Sequence, residues 1–254
     1  MPRQPRQLSP SGIYHIMCRG IDRQQLFYDD LDNTKFMAAL SMIESDNFEI
    51  LAYCLMGNHF HLLVRTAKDS IEHMELALKR LGIRYANHYN QRYTRLGPVF
   101  QGRYKSIPVQ GTRYFLRVLR YIHQNPVKAG LCVKMQDYTY SSYIDYFATR
   151  DTCLCPVRTE YALRLMDADT LRAWHEQEEE NPATLDIEDA RVSDAVLAVL
   201  TQKAAGCPPA QYHTLPPEKL ESILRRLVRE EGAHIPPLAR ITGVARGLIQ
   251  RCTL

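Results

Sequence analysis

The sequence predicts an α+β fold: a ferredoxin-like, split βαβ antiparallel sheet with helices on one face, followed by a C-terminal helical extension. Three observations support this prediction. Strand and helix patterns follow one another in the order βαββαβ, with a further helix behind them. The Gly57-Asn58 turn signal joins two runs of apolar and β-branched residues into a hairpin. Beyond residue 190 the apolar residues recur at helical spacing.

The first half of the sheet domain has clear local signals. Residues 13–20 (IYHIMCRG) predict a strand. Residues 30–46 predict a helix with Asp32 or Asn33 as its N-cap, because apolar residues recur on one stripe behind these polar side chains. The hairpin then occupies residues 48–65. Together these segments give the first three strands and the first helix.

The second half supplies another helix, a strand and a final helix. A long helix is predicted from about Ser70 towards Tyr93, and residues 99–109 predict the fourth strand. The last helix is predicted to be capped by Thr112 and stopped by Pro126, because a residue that precedes proline disfavours the helical conformation. With helices on one face, the other face of the sheet is expected to be available for a ligand.

Charge divides the chain into three predicted regions. Residues 1–147 have a net charge of +7 and form the predicted first domain. Residues 148–190 have a net charge of −7 and predict an acidic linker or solvated helix. Residues 191–254 have a net charge of +4 and predict a helical, helix-turn-helix-like DNA-binding domain, with its turn around Thr242-Gly243.

A basic, tyrosine-rich segment predicts binding to a polyanion. Residues 76–136 contain 12 Lys and Arg and no acidic residue. Interleaved tyrosines suit stacking on unpaired bases, although a solvated basic face with tyrosines in the core is the alternative. The predicted DNA contacts, from this segment and the loop after the first strand, are Arg19, Arg23, Arg84, Arg92, Arg95, Arg103, Tyr104, Lys105, Arg113, Arg117 and Arg120.

Composition predicts a cytoplasmic, nucleoid-associated protein with no membrane partner. No stretch approaches the roughly 20 apolar residues needed to span a bilayer, and the first residues lack the apolar segment of a secretory signal. The seven cysteines are an odd and scattered set, which suits a reducing compartment. Cys153 and Cys155 form a weak metal-binding candidate, because no second pair with zinc-like spacing follows.

The tripeptide His59-Phe60-His61 is the main candidate for chemistry. Alternation in a strand puts both imidazoles on one face and Phe60 on the other, so the two histidines could hold one metal ion. Two surface histidines without a function are the alternative reading. A structural zinc site shared with Cys54 is a third possibility. A nucleotide hydrolase is disfavoured, because Leu63 stands where such an enzyme needs a third alternating histidine.

The combination of GNHFHLLV with RYFLRVLRYIHQNPVKAG resembles the single-tyrosine HUH transposases, and most closely their REP-associated branch, over residues 10–147. The resemblance implies that His59 and His61 are metal ligands, that Tyr121 is the nucleophile, and that Asn125 is a third metal-binding side chain. Relatives often have glutamine at that last position, and Asn reaches less far. Tyr121 and Asn125 share a helix face, and Tyr114, seven residues earlier, is the competing nucleophile.

The resemblance also implies a reaction. It predicts an Mg²⁺- or Mn²⁺-dependent endonuclease and strand transferase that cleaves single-stranded DNA near hairpin, REP-like sequences through a 5′-phosphotyrosine intermediate. The partner is therefore single-stranded or hairpin DNA, and the protein is expected to be a monomer or a homodimer. A hairpin-binding regulator without catalytic turnover is the alternative function.

Overall fold

The computed structural model describes residues 6–67, 71–148, 154–177, 185, 194–230, 233 and 235–253. The chain divides into two compact units. The first comprises residues 1–109 with 118–178, and the second comprises residues 110–117 with 179–254. The predicted boundaries at residues 147 and 190 stay a proposal, because much of the intervening acidic segment lies outside the described residues.

The first unit is built on a four-stranded antiparallel sheet. Its strands lie in the order β2-β3-β1-β4, which is the ferredoxin-like order, so the predicted fold class is confirmed. The fourth strand is shorter than the predicted residues 99–109, because only its last part pairs with β1. The strands are Ile13–Arg19 (β1), Phe48–Met56 (β2), His59–Thr66 (β3) and Lys105–Pro108 (β4).

Two helices, Asp30–Ser41 (α1) and Ile71–Arg92 (α2), contribute with one face of this sheet to the main core. Phe60 from β3 packs there against Phe36 from α1, with ring centres 4.7 Å apart. Phe60 therefore points away from the face that carries its histidine neighbours, as alternation predicts. The predicted start of α2 at Ser70 lies outside the described residues.

The predicted N-cap of α1 is wrong, since Asp29 caps the helix in place of Asp32 or Asn33. The Asp29 carboxylate accepts hydrogen bonds from the backbone N–H groups of Leu31 and Asp32. Asp32 is fully buried instead, where it accepts hydrogen bonds from the Tyr28 backbone N–H and the Tyr93 hydroxyl. Its carboxylate thus joins α1 to α2.

The helix Thr112–Lys128 (α3) differs from prediction at both ends. Thr112 is its first residue and not its cap, and Pro126 lies inside the last turn. Gly130, two residues after the last residue of the helix, has a φ of +69°. Backbone bonds from Gly130 N–H to Val127 C=O and from Leu131 N–H to Pro126 C=O complete a Schellman motif. Gly130, and not Pro126, therefore terminates α3.

Part of the segment predicted as an acidic linker is folded within the first unit. Three helices follow α3: Tyr143–Phe147 (α4), Glu160–Leu163 (α5) and Ala168–Glu176 (α6). Leu171 and His175 of α6 are fully buried. The charge-based prediction is therefore corrected for α6, because its acidic residues occupy one side while an apolar stripe packs inward.

The second unit is helical, as predicted for the C-terminal extension. Its helices are Asp194–Ala205 (α7), Pro217–Arg229 (α8), Ile235–Thr242 (α9) and Arg246–Thr253 (α10). Gly243, with a φ of +70°, makes the turn between α9 and α10. The packing of α9 against α10 confirms a helix pair at the predicted place. Within the described ranges, no helix has both the length and the apolar character needed to cross a bilayer.

Candidate active site

Two histidines alternate on β3 at the face of the sheet opposite the main core. His61 lies opposite Met17 of β1 and Cys54 of β2, in the middle of the sheet, and is only 1% exposed. His59 lies at the start of β3, opposite Arg19, and is partly exposed. The imidazole ring centres of His59 and His61 are 5.1 Å apart, and the rings are nearly perpendicular. The hairpin thus holds both imidazoles side by side.

Tyr121 of α3 packs against this histidine face. Its ring centre lies 5.7 Å from that of His61, with the two rings perpendicular. The side chain is 6% exposed, and the Lys128 ammonium group lies 5.5 Å from its ring centre. The competing tyrosine, Tyr114, belongs to the part of α3 that is grouped with the second unit. Tyr121 is therefore the tyrosine that the fold brings to the histidine pair.

His15 is a site residue that the sequence analysis missed. It lies on β1 and is fully buried. Its Nε2 atom is 3.1 Å from Nδ1 of His61, and its ring centre is 5.8 Å from that of Tyr121. A lone histidine in an apolar strand resembles an ordinary core residue. The available signal was its alternation with Met17 and Arg19, which puts all three on one face.

All three histidines are held in the neutral form. Burial, reinforced by the positive charge of Arg19, lowers the pKa of His59 to about 4. Burial lowers the pKa of His61 well below its ordinary value, with the nearby charges of His59, His15 and Arg19 adding to the effect. Burial alone lowers the pKa of His15 to about 3. Neutral imidazole is the form that binds a metal ion.

The side-chain contacts of His59 and His61 suit metal binding. The Nδ1–H of His59 donates to Oδ1 of Asn58 over 2.7 Å, so the lone pair of this ring lies on Nε2. His61 likewise uses Nδ1 for its bond to His15. The two Nε2 atoms are therefore the nitrogens that a divalent ion would use at this site.

The third predicted ligand, Asn125, lies on α3 one turn after Tyr121. Its side-chain amide donates to the Tyr121 carbonyl over 2.8 Å, which holds the amide group beside the tyrosine. The neighbouring Gln124 points elsewhere, since its amide donates to the carbonyls of His175 and Gln177. In the part of the chain that is described, no group of three or more His, Cys, Asp or Glu side chains could hold a metal. Oxygen ligands would have to complete the coordination of an ion on the two histidines.

A structural zinc site that includes Cys54 is disfavoured by the environment of that thiol. Burial raises the pKa of Cys54 far above its ordinary value, and the thiol donates to Sδ of Met56 over 3.6 Å. Zinc needs a thiolate, which burial makes unfavourable here. Of the weaker pair suggested by the sequence, Cys153 lies outside the described residues.

Comparison with known proteins finds similarity over the segment that carries these residues. The sequence pattern of the family described as "Transposase IS200 like" matches residues 9–125, a range that contains His15, His59, His61 and Tyr121. Residues 9–125 are thus similar in sequence to the IS200-like transposases.

Two proteins that are similar to this segment are both named as REP-associated tyrosine transposases. A protein of Haemophilus influenzae, named by inference a REP-associated tyrosine transposase, is 25% identical over 152 residues, which cover 56% of this chain and 86% of that protein. A solved structure of a REP-associated tyrosine transposase bound to a REP hairpin aligns over 60% of this chain and 94% of that chain. The TM-score is 0.50 and the identity 16%, so this match supports the fold.

The predicted DNA contacts fall into two groups. Some side chains are exposed and can reach a phosphate, whereas others already hold structural partners. The exposed predicted contacts are Arg23, Arg84, Arg103, Lys105 and Arg113, while Arg19 and Tyr104 are partly exposed. Arg113 also forms an ion pair with Glu230 over 3.2 Å. Arg103 and Lys105 flank Tyr104 immediately before and at the start of β4, so two charges and one aromatic ring lie together.

Arg92 and Arg95, two of the predicted contacts, bind other side chains of the protein. Arg92 forms ion pairs with the carboxylates of Asp29 and Asp32, the latter over 2.6 Å, and Arg95 donates to Gln24. These bonds join α2 to α1 and to the loop after β1. Their guanidinium groups are therefore engaged in holding the first unit together.

Arg117 and Arg120, which were also predicted to contact DNA, are buried. They are 5% and 4% exposed, respectively. Arg117 donates to the backbone carbonyl of Glu230. Arg120 donates to the Trp174 carbonyl over 3.1 Å, and its guanidinium group lies 4.4 Å from the Trp174 ring centre. Carbonyl oxygens and an aromatic face thus take the place of the expected phosphates.

Proposed function

We propose that the protein is an Mg²⁺- or Mn²⁺-dependent endonuclease and strand transferase, which cleaves single-stranded DNA near hairpin sequences through a tyrosine nucleophile. One observation carries this proposal: the Tyr121 ring packs 5.7 Å from the ring of His61, which is itself paired with His59 on the same strand. The similarity of residues 9–125 to the IS200-like transposases supports it. The relatives named for REP elements make hairpin DNA the natural substrate class.

The proposed reaction exchanges one phosphoester bond for another. The Tyr121 phenol loses its proton to solvent or a neighbouring base, and its oxygen attacks the phosphorus in line. The bond from phosphorus to the 3′ oxygen breaks, and that oxygen leaves as a 3′-hydroxyl after taking up a proton. The products are a 5′-phosphotyrosine and a free 3′ end. Because the phosphotyrosine retains the energy of the broken bond, a 3′-hydroxyl can attack it later without ATP.

The histidines would bind and orient the scissile phosphate through the metal. A divalent ion, when bound, polarises the phosphate and offsets the negative charge that grows during attack. His59 and His61 contribute neutral nitrogen ligands, and Asn125 would add its amide oxygen if the side chain turns from its bond to the Tyr121 carbonyl.

DNA would reach the site at the start of β3. His59 is the most exposed of the three site histidines, and Arg19 lies directly opposite it. The Asn58 amide donates to the backbone carbonyl of Arg23 over 3.4 Å, so the exposed Arg23 lies in the loop next to the hairpin turn. Two cations beside the accessible imidazole would attract the DNA backbone.

The second unit would add a further DNA contact. Arg246, Gln250 and Arg251 of α10 are exposed, on the second helix of the predicted helix-turn-helix pair. A helix in this position carries the base contacts in proteins that use the motif. We assign residues 191–254 to DNA binding on this basis. The oligomeric state, monomer or homodimer, and the location at the nucleoid stay predictions.

Cleavage of a labelled, single-stranded hairpin oligonucleotide in Mn²⁺ tests the proposal. The wild-type protein should form a covalent adduct that survives on a denaturing gel. Tyr121→Phe should abolish the adduct and reduce cleavage by about a thousandfold or more, because the nucleophile is lost while binding persists. Tyr114→Phe is the matched control and should still cleave. Equal cleavage by wild-type protein and Tyr121→Phe would contradict the assignment.

A second function, a hairpin-binding regulator without turnover, is favoured by one observation. Tyr121 is only 6% exposed, so a strand must displace neighbouring groups before the phenol can attack. A regulator would bind the hairpin with the same affinity in wild-type and Tyr121→Phe proteins and would form no adduct with either. The gel assay therefore separates the two functions.

A further inference from the structure

His15 lies at the centre of the histidine face with only one of its ring nitrogens paired. The residue is fully buried between β3 and α3. Its Nε2 atom is 3.1 Å from Nδ1 of His61, whereas no hydrogen-bond partner for its Nδ1 atom is found among the described residues. An apolar ring would fill the same space without leaving a buried nitrogen unpaired. The contact with His61 is therefore the feature that requires explanation.

Only one arrangement of protons across this contact is compatible with metal binding. If Nδ1 of His61 carries the proton, it donates to Nε2 of His15, and the lone pair of His61 lies on Nε2. If Nε2 of His15 carries the proton instead, it donates to Nδ1 of His61, and the single ring proton of neutral His61 must lie on its own Nε2. That proton occupies the position where an ion would bind.

We propose that His15 is a positioning residue, which accepts the Nδ1–H of His61 and so directs the Nε2 lone pair of His61 towards the metal. This inference rests on the proposed function, since the metal is the reason for orienting that nitrogen. A partner on the second nitrogen of a histidine ligand fixes both the tautomer and the ring orientation. The edge-on contact of the His15 ring with Tyr121 also couples β1 to the helix that carries the nucleophile.

His59 provides an internal comparison. Its Nδ1 faces Oδ1 of Asn58 at 2.7 Å, and an amide oxygen can only accept. The orientation of that amide follows from its NH₂ group, which donates to the Arg23 carbonyl. The tautomer of His59 is thus set by an obligate acceptor. His61 faces another imidazole, which can donate or accept, so its tautomer depends on His15.

Two variants separate this role from simple packing. His15→Phe keeps a ring beside Tyr121 and removes the acceptor, while His15→Gln keeps an acceptor within reach of His61. Mn²⁺ affinity, measured by titration of the full chain followed by electron paramagnetic resonance, should fall about 10- to 100-fold in His15→Phe. His15→Gln should recover most of that loss. Equal Mn²⁺ affinity in wild-type protein and His15→Phe would overturn the assignment.

A spectroscopic readout tests the inference without any metal. Nitrogen NMR of the full chain labelled in its histidines should show the His61 proton on Nδ1 in the metal-free wild-type protein and in His15→Gln, and a shift towards Nε2 in His15→Phe. A wild-type His61 that carries its proton on Nε2 overturns the inference even if His15→Phe fails to fold. Wild-type protein that binds no Mn²⁺, but has the expected His61 tautomer, contradicts the proposed function and leaves the orienting contact in place.

Discussion

A buried pair of histidines behind the tyrosine helix predicts a defined loss of stability in acid. His123 of α3 and His175 of α6 are both fully buried, and Nδ1 of His123 lies 2.9 Å from Nε2 of His175. Nδ1–H of His175 donates to the Leu171 carbonyl over 2.7 Å, so its Nε2 accepts from His123. Nε2 of His123 then accepts from the Ser142 hydroxyl over 2.8 Å. Every ring nitrogen is paired only while both imidazoles are neutral.

The size of the effect follows from the displaced pKa values. Burial lowers the pKa of His175 to about 4. Burial also lowers the pKa of His123 well below its ordinary value, and the charge of His175 lowers it further. In the unfolded chain both titrate near about 6.5, so the unfolded state takes up protons first as the pH falls. Their contribution to stability is complete above that value and decreases by about 1.4 kcal/mol per pH unit for each histidine. From pH 6.5 to pH 5 the pair loses about 3 kcal/mol, because the full slope is reached only well below the pKa of the unfolded chain. This is a large share of a typical stability of about 5–15 kcal/mol.

The perturbation that isolates one of these protons is His175→Gln, whose amide can still accept from His123 and donate to Leu171. Urea unfolding at a series of pH values, followed by the fluorescence of Trp174, reports on the first unit, because this is the single tryptophan of the chain. The slope of unfolding free energy against pH between pH 6 and 5 should decrease by about 1.4 kcal/mol per unit in the variant. His73→Gln, at an exposed position on α2, is the matched control for the substitution. Identical slopes for wild-type protein and His175→Gln would refute the reasoning.

Three further variants test which side chains have structural, DNA-binding and metal-binding roles. Arg92→Ala should lower the free energy of unfolding by about 2 kcal/mol in urea titrations, because the buried Asp32 loses its cationic partner, and hairpin affinity should stay unchanged. The double variant Arg103→Ala with Lys105→Ala should weaken hairpin binding, measured by fluorescence anisotropy. The slope of log affinity against log salt concentration should decrease by about 1 to 2. An unchanged slope would exclude phosphate contacts at these two residues. Asn125→Ala should reduce Mn²⁺ affinity less than about tenfold in a direct titration, whereas a larger loss would show that the amide is a principal ligand.

Local signals in the sequence were sufficient for the sheet and for the histidine hairpin. The Gly57-Asn58 turn and the alternation around it predict β2 and β3, and they place Phe60 in the core with His59 and His61 on the other face. The order of elements then determines a small set of sheet topologies, from which the observed one follows. These features depend on neighbours in sequence, which is why they could be predicted.

Features that depend on distant partners were missed or misassigned. His15 acquires its role only because β1 pairs with β3 in the register that puts Met17 opposite His61. Arg120 has the charge of a DNA contact, but its partner is Trp174, 54 residues later. Pro126 was predicted to stop α3 but lies inside its last turn, and Gly130 provides the actual stop. A sequence pattern contains no direct record of such pairings.

The most direct test of the central claim is to identify the residue that becomes attached to DNA. Full-length protein is incubated with a single-stranded hairpin oligonucleotide and Mn²⁺, digested with protease and nuclease, and examined by peptide mass spectrometry. The account predicts a 5′-phosphonucleotide on Tyr121 and its disappearance in His59→Ala and His61→Ala variants that remain folded. An adduct on Tyr114, or efficient cleavage that leaves no protein-bound nucleotide, would contradict it.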